Sequence, residues 1–140
     1  MDYKELAKKA VAAKRFSHSP YSRFRVGAAL LSRGRKLWTG TNIEISTYAL
    51  TICAERTAIF KAVSEGHRKF RAIAIATDET SFTPPCGACR QVLMDLAGDI
   101  DCIMTNKHGD LRVMKVSDLL PLAFGPENLQ RRKPPRKQPR

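Results

Sequence analysis

Arg71-Ala72-Ile73-Ala74-Ile75-Ala76-Thr77 is a near-continuous apolar run of strand length. A strand with one wet face alternates apolar and polar residues, whereas one covered on both faces stays apolar throughout. Residues 71–77 therefore predict the central strand of a covered sheet. Its flanks agree with that reading. Before it, Cys53 to Ser64 places Ala54, Ala58, Ile59 and Ala62 at helical spacing, and after it Gly87 to Leu96 does the same with Val92, Leu93 and Leu96.

Working outward, Tyr3 to Phe16 carries Leu6, Ala7, Ala10 and Val11 on one face of an amphipathic helix whose other face is rich in lysine. Ser17 to Tyr21, with Ser19-Pro20 inside it, reads as a loop. Val26 to Leu31 and Lys36 to Ile43 predict a hairpin in which Gly34 permits the tight reversal. Asp101 to Thr105 and Leu111 to Val116 predict two more strands, followed by a short helix opening at Ser117 with Asp118 as its early acid. The order helix, two strands, helix, strand, helix, two strands, helix predicts an α/β fold, a three-layer α/β/α sandwich with a five-stranded mixed sheet.

A chain of 140 residues with 43% hydrophobic content supports one well-buried core and is too short for two ordinary domains. No apolar run approaches the roughly 20 residues of a membrane-spanning helix, and Met1-Asp2-Tyr3-Lys4-Glu5 has no apolar block like a secretion signal. A soluble, cytoplasmic protein with reduced cysteines is expected. The net charge of +12 permits affinity for nucleic acid or another polyanion. Half of that excess, however, lies in Arg131 to Arg140, with six basic residues and no acid. That segment contains Pro134, Pro135 and Pro139 and too few apolar side chains to offset its ordering entropy. One folded domain over 1–129 and a basic, disordered tail over 130–140 are expected.

The chemistry centres on Thr51-Ile52-Cys53-Ala54-Glu55-Arg56 and Pro85-Cys86-Gly87-Ala88-Cys89-Arg90. A structural zinc takes four protein ligands, whereas a catalytic zinc keeps three and leaves one position to water or substrate. Cys53, Cys86 and Cys89 fit the second pattern. All three fall in the first turns of predicted helices, where unsatisfied amides and aligned peptide dipoles favour the thiolate. Glu55 is too close to Cys53 to share the ion comfortably and is well placed to move protons for a hydrolysis. Arg56 is expected to donate to a ligating sulfur and offset the excess negative charge, with Arg90 the weaker candidate. A four-cysteine structural site would instead recruit Cys102, which sits in an apolar strand and reads as core. His18, His67 and His108 lie in turn-like or polar stretches and are assigned no metal.

These motifs, together with Pro20-Tyr21-Ser22-Arg23-Phe24-Arg25-Val26-Gly27-Ala28-Ala29-Leu30, Asn42-Ile43-Glu44 and Leu122-Ala123-Phe124-Gly125, resemble the small homotetrameric cytidine deaminases from about Tyr3 to Leu129. The resemblance makes residues 1–129 a catalytic domain and implies one Zn2+ per subunit. It also implies attack of zinc-activated water on carbon 4 of cytosine, with Glu55 shuttling protons. It places Phe24 near the pyrimidine, the Ala54 backbone on the ring, and Asn42 and Glu44 on the ribose hydroxyls. Tyr48 and Phe124 would complete the pocket across subunit boundaries. Ile45 and Thr41 depart from the family's pattern beside the sugar site, which leaves the order of preference among cytidine, deoxycytidine and analogues open.

The expected function is hydrolytic deamination of cytidine and deoxycytidine in pyrimidine salvage. A polynucleotide cytosine deaminase is the alternative that the basic charge supports, through salt-sensitive phosphate contacts. An antibiotic-nucleoside deaminase of the blasticidin type is a third enzyme reading. The nonenzymatic reading is a zinc-stabilised module whose tail engages RNA or an acidic surface.

Overall fold

The computed structural model describes residues 1–129. The expected disordered tail over 130–140 lies outside the described residues. Helix α1 (Tyr3–Ala13) opens with a capping box, in which Glu5 N donates to Asp2 Oδ1 at 2.8 Å and Asp2 N donates to Glu5 Oε2 at 3.2 Å. Its predicted last residues, Lys14–Phe16, tighten into a 3-10 turn.

Strands β1 (Val26–Ser32) and β2 (Leu37–Thr41) form the predicted antiparallel hairpin, in register from Gly27 opposite Thr41 to Leu31 opposite Leu37. The left-handed residue of its turn is Arg35, at φ 66°, not Gly34. Ser32 makes that tolerable, since its hydroxyl accepts from Lys36 N at 2.9 Å and its carbonyl from Arg35 N at 3.2 Å. Then follow α2 (Ala54–Ser64), β3 (Phe70–Thr77), α3 (Gly87–Ala97), β4 (Asp101–Thr105), β5 (Leu111–Lys115) and the short α4 (Val116–Leu119). The sheet runs β2-β1-β3-β4-β5, with β3 and β4 parallel and the other pairs antiparallel. The fold is the expected α/β/α sandwich with a mixed sheet.

Strand β3 is buried along nearly its whole length, and its alternation is one of size rather than polarity. Ala72, Ala74 and Ala76 pack with Leu6 and Ala10 of α1, while Ile73 and Ile75 pack on the other face with Ile59 of α2 and Leu93 of α3. The small face lets α1 lie close to the sheet; the large face fills the wider gap under two helices.

Two glycines fix how near the helices come. A Cβ on Gly27 would lie 2.1 Å from Ala10 O, and one on Gly40 would lie 2.4 Å from Ala54 O and 2.6 Å from Ala58 N. Any side chain at position 40 would therefore push on the first turn of α2, where Cys53, Ala54 and Glu55 stand. No helix among the described residues is long and apolar enough to cross a membrane.

Candidate active site

The amino ends of α2 and α3 converge. Cys53 caps α2 and Cys86 caps α3, and neither side chain makes a capping hydrogen bond, so both thiols are free to face each other. Cys89, in the first turn of α3, is fully buried beside them. The three sulfurs lie within 4.8 Å of one another, with Cys53 and Cys86 3.7 Å apart. A tetrahedral zinc with sulfurs at about 2.3 Å sets them roughly 3.8 Å apart, so the spacing fits the ion. Thiolates also select zinc over harder cations. The donor set holds one zinc per subunit. Cys102 stays outside the cluster, buried in β4, where loss of solvent pushes its thiol up to about 12.

Packing three thiols together splits their acidities. The hydrogen bond from Cys89 pulls Cys53 down to about 5, against the effect of burial, with Arg56 and Cys86 adding to the fall. Cys89 is pushed up, because it gives that hydrogen bond and is itself desolvated. Arg56 Nη2 lies 3.2 Å from Cys53 Sγ, and the same contact raises the arginine's own affinity for its proton. Arg90 is engaged elsewhere: its Nε donates to Pro85 O at 2.7 Å and its Nη1 to Leu119 O at 2.9 Å. It ties the start of α3 to the end of α4 rather than serving a sulfur.

Glu55 is the second residue of α2 and only 4% exposed. Burial raises its pKa above the ordinary carboxylate range, although a hydrogen bond with Cys89 opposes the rise. The carboxyl faces a cavity of about 340 Å³ whose lining also includes Cys53, Cys86, Phe24, Asn42 and Glu44.

Asn42 and Glu44 reach that cavity because of a short bridge. Ile43 N donates to Ile52 O and Ile52 N to Ile43 O, each at 3.0 Å, and the extended alternation sends the residues on either side of Ile43 to one face. Asn42 Oδ1 accepts from Val26 N at 3.0 Å and from the Ser17 hydroxyl, while Nδ2 donates to Phe24 O at 2.6 Å. Glu44 accepts from the Ser22 hydroxyl and from the backbone N–H groups of Tyr21 and Ser22, both at 3.0 Å. The Ser22 hydroxyl is the main reason its carboxyl sits below the ordinary range.

Of the remaining expected residues, Tyr48 and Phe124 lie further out. Tyr48, 72% exposed, lines an adjoining cavity of about 380 Å³ and meets Tyr21 edge to face at 5.6 Å between ring centres. Ala54 is fully buried at the start of α2, between Cys53 and Glu55. Phe124, 59% exposed, is held through its carbonyl, which accepts from Gln91 Nε2 at 2.7 Å, and its ring does not line either cavity. Ile45 is exposed, and its N–H donates to Thr51 Oγ1 at 3.1 Å.

Residues 1–104 match a family model described as the cytidine and deoxycytidylate deaminase zinc-binding region. The chain belongs to this deaminase family. The cytidine deaminase of Halalkalibacterium halodurans is 48% identical over 130 residues, which is 92% of this chain and 98% of that one. That of Sporosarcina psychrophila is 45% identical over 130 residues, 92% of this chain and 96% of the relative. The crystal structure of cytidine deaminase from Burkholderia pseudomallei matches with a TM-score of 0.87 at 43% identity, covering 89% of this chain and all of that one. The deaminase fold thus extends over the sheet, both cysteine-bearing helices and the loop above the cavity.

Sequence reading gave no role to Ser17, Ser22 or Asp78, all of which shape this loop. Asp78, just past β3, accepts from Arg25 Nε at 2.9 Å, from Arg25 Nη2 at 3.0 Å and from Lys14 Nζ at 2.8 Å. These contacts draw its pKa down from 3.8 to about 2, Arg25 first and Lys14 second. A carboxyl whose folded pKa is depressed adds stability above its unfolded value and loses it as pH falls through the folded one. We expect Asp78→Asn to lower the urea midpoint at neutral pH, with the difference from wild type shrinking as the pH falls from 3.8 through about 2. Equal midpoints at neutral pH would show that the ion pairs contribute nothing.

Proposed function

We propose that this protein hydrolyses free cytidine and deoxycytidine to uridine and deoxyuridine, with release of ammonia, in pyrimidine salvage. The observation that carries the reading is Glu55: a buried carboxyl with a raised pKa, beside three sulfurs and facing a cavity that fits a small ligand. Bound zinc supplies a strongly acidified water and charge stabilisation at the reacting carbon.

The chain's own residues do the rest. Glu55 takes a proton from the attacking water and passes it to the ring nitrogen next to carbon 4, then carries the second proton to the departing amine. The water oxygen stays on carbon 4 as the new carbonyl, so one water is consumed for each ammonia released. Phe24 packs along the pyrimidine, and the backbone at Ala54 meets the ring. Asn42, with one amide N–H beyond its bond to Phe24, and Glu44 take the ribose hydroxyls. Arg56 draws charge from Cys53 through its 3.2 Å contact, which counters the electron richness of three thiolates.

We also read the protein as a homotetramer in which Tyr48 and Phe124 reach the pocket of a neighbouring subunit. Their exposure, with that of Leu50 and Leu122 nearby in the same segments, supports an assembled state. Sedimentation equilibrium should give four chains per particle, and a monomer at assay concentration would refute the assembly. A site of three reduced thiolates suits the cytoplasm. Residues 1–129 form the catalytic domain in this reading, and deleting Arg131 to Arg140 is expected to leave nucleoside turnover within about twofold of wild type, since phosphate contacts concern polyanions alone. A large loss at equal folded concentration would tie the tail to the site.

Ammonia release from cytidine, cytidine monophosphate, blasticidin and a cytosine-containing single strand separates nucleoside salvage from the two other enzyme readings. Glu55→Gln should keep zinc, by elemental analysis, and keep the fold, while kcat for cytidine drops by about 10²–10⁴-fold. Unchanged ammonia release would remove Glu55 from proton transfer.

A further inference from the structure

The loop over the cavity is closed by a ring of hydrogen bonds running through one serine hydroxyl. Phe24 N donates to Ser22 Oγ at 3.0 Å, and the Ser22 hydroxyl donates to Glu44 Oε2. Phe24 O in turn accepts from Asn42 Nδ2, and Asn42 and Glu44 flank Ile43 on one extended stretch. Arg23, between Ser22 and Phe24, adopts a left-handed φ of 57° and donates its N–H to Ser19 O at 2.9 Å, which folds the serine side chain back over the next peptide.

The two oxygens of Glu44 are held differently. Both backbone N–H groups, from Tyr21 and Ser22, go to Oε1, whereas the Ser22 hydroxyl goes to Oε2. The last torsion of a glutamate is broad and nearly twofold, so two donors on one oxygen leave the plane of the carboxylate loosely set. A third donor on the other oxygen fixes it. The hydroxyl has one hydrogen, and because a carboxylate only accepts, that hydrogen is committed to Glu44, which leaves a lone pair to receive Phe24 N–H.

We infer that Ser22 is a positioning residue for sugar recognition: its hydroxyl sets the plane of the Glu44 carboxylate and locks it to the peptide that carries Phe24. This rests on Glu44 as the sugar-binding carboxylate. The substrate class it serves is a nucleoside bearing ring hydroxyls. Ser22 makes its contribution through Glu44, so its removal loosens sugar discrimination rather than proton transfer at carbon 4.

The test compares kcat/KM for cytidine with that for the dideoxy analogue lacking both ring hydroxyls. Ser22→Ala should lower that ratio by about ten- to a hundredfold, the scale of one hydrogen bond to a charged group, through KM for cytidine and with kcat nearly unchanged. Ser22 is exposed, so Ser22→Thr fits and, with the hydroxyl restored, should return the ratio to near wild type. Glu44→Gln should lower the ratio as well, and adding Ser22→Ala to it should lower it no further. A Ser22→Ala ratio equal to wild type, or an equal fall for both nucleosides, overturns the role of Ser22. A Glu44→Gln ratio equal to wild type overturns the sugar role of Glu44 itself, and the inference with it.

Discussion

Three sulfurs brought within 4.8 Å of one another set the central constraint on this molecule. The hydrogen bond between Cys89 and Cys53, with the loss of solvent around them, divides their acidities: Cys53 falls to about 5 while Cys89 rises. The surrounding structure is arranged around that charge. Two helices aim their amino ends at it, Arg56 contacts Cys53, and a divalent cation matched to the sulfur spacing completes the balance. Glu55 belongs to the same arrangement, since the burial that concentrates the sulfur charge also keeps its carboxyl apt to hold a proton.

The sheet delivers those helix ends. Gly40 lets β2 pass against the first turn of α2, while the Ile73 and Ile75 face of β3 supports α2 and α3 together. The loop beside the cavity is built from a different part of the chain and a different kind of force. The loop before β1 is held by polar contacts, with Asp78 gripping Arg25 at one end and Glu44 gripping Tyr21 and Ser22 at the other. The three-sulfur cluster thus faces a hydrogen-bonded loop across one cavity.

Most elements were legible because their periodicity reports burial directly. The run from Arg71 to Thr77 was readable as a strand covered on both faces, and the cysteine spacing was readable as a metal site, since both are local patterns. The hairpin's conformation was less so: Gly34 looked like the residue needing conformational freedom, yet Arg35 takes the left-handed position and Ser32 stabilises it. Arg90 likewise looked like a partner for sulfur by its place next to Cys89. Carbonyls at Pro85 and Leu119 claim it instead, and nothing local indicates where α4 ends relative to α3.

The sequence by itself determined the layered α/β plan, the three sulfur ligands and the neighbouring carboxyl, because helical and strand periods and short ligand spacings act over a few residues. Tertiary structure decided the cradle around Glu44 and the loop beside it: which oxygen of Glu44 each donor meets, how Ser22 joins Phe24 to it, and that Asp78 anchors Arg25. Apart from the local bond between Ser22 and Phe24, those contacts join residues 22 to 53 positions apart, and hydrogen bonds of 2.7–3.2 Å exist only once the sheet has fixed where each segment lies.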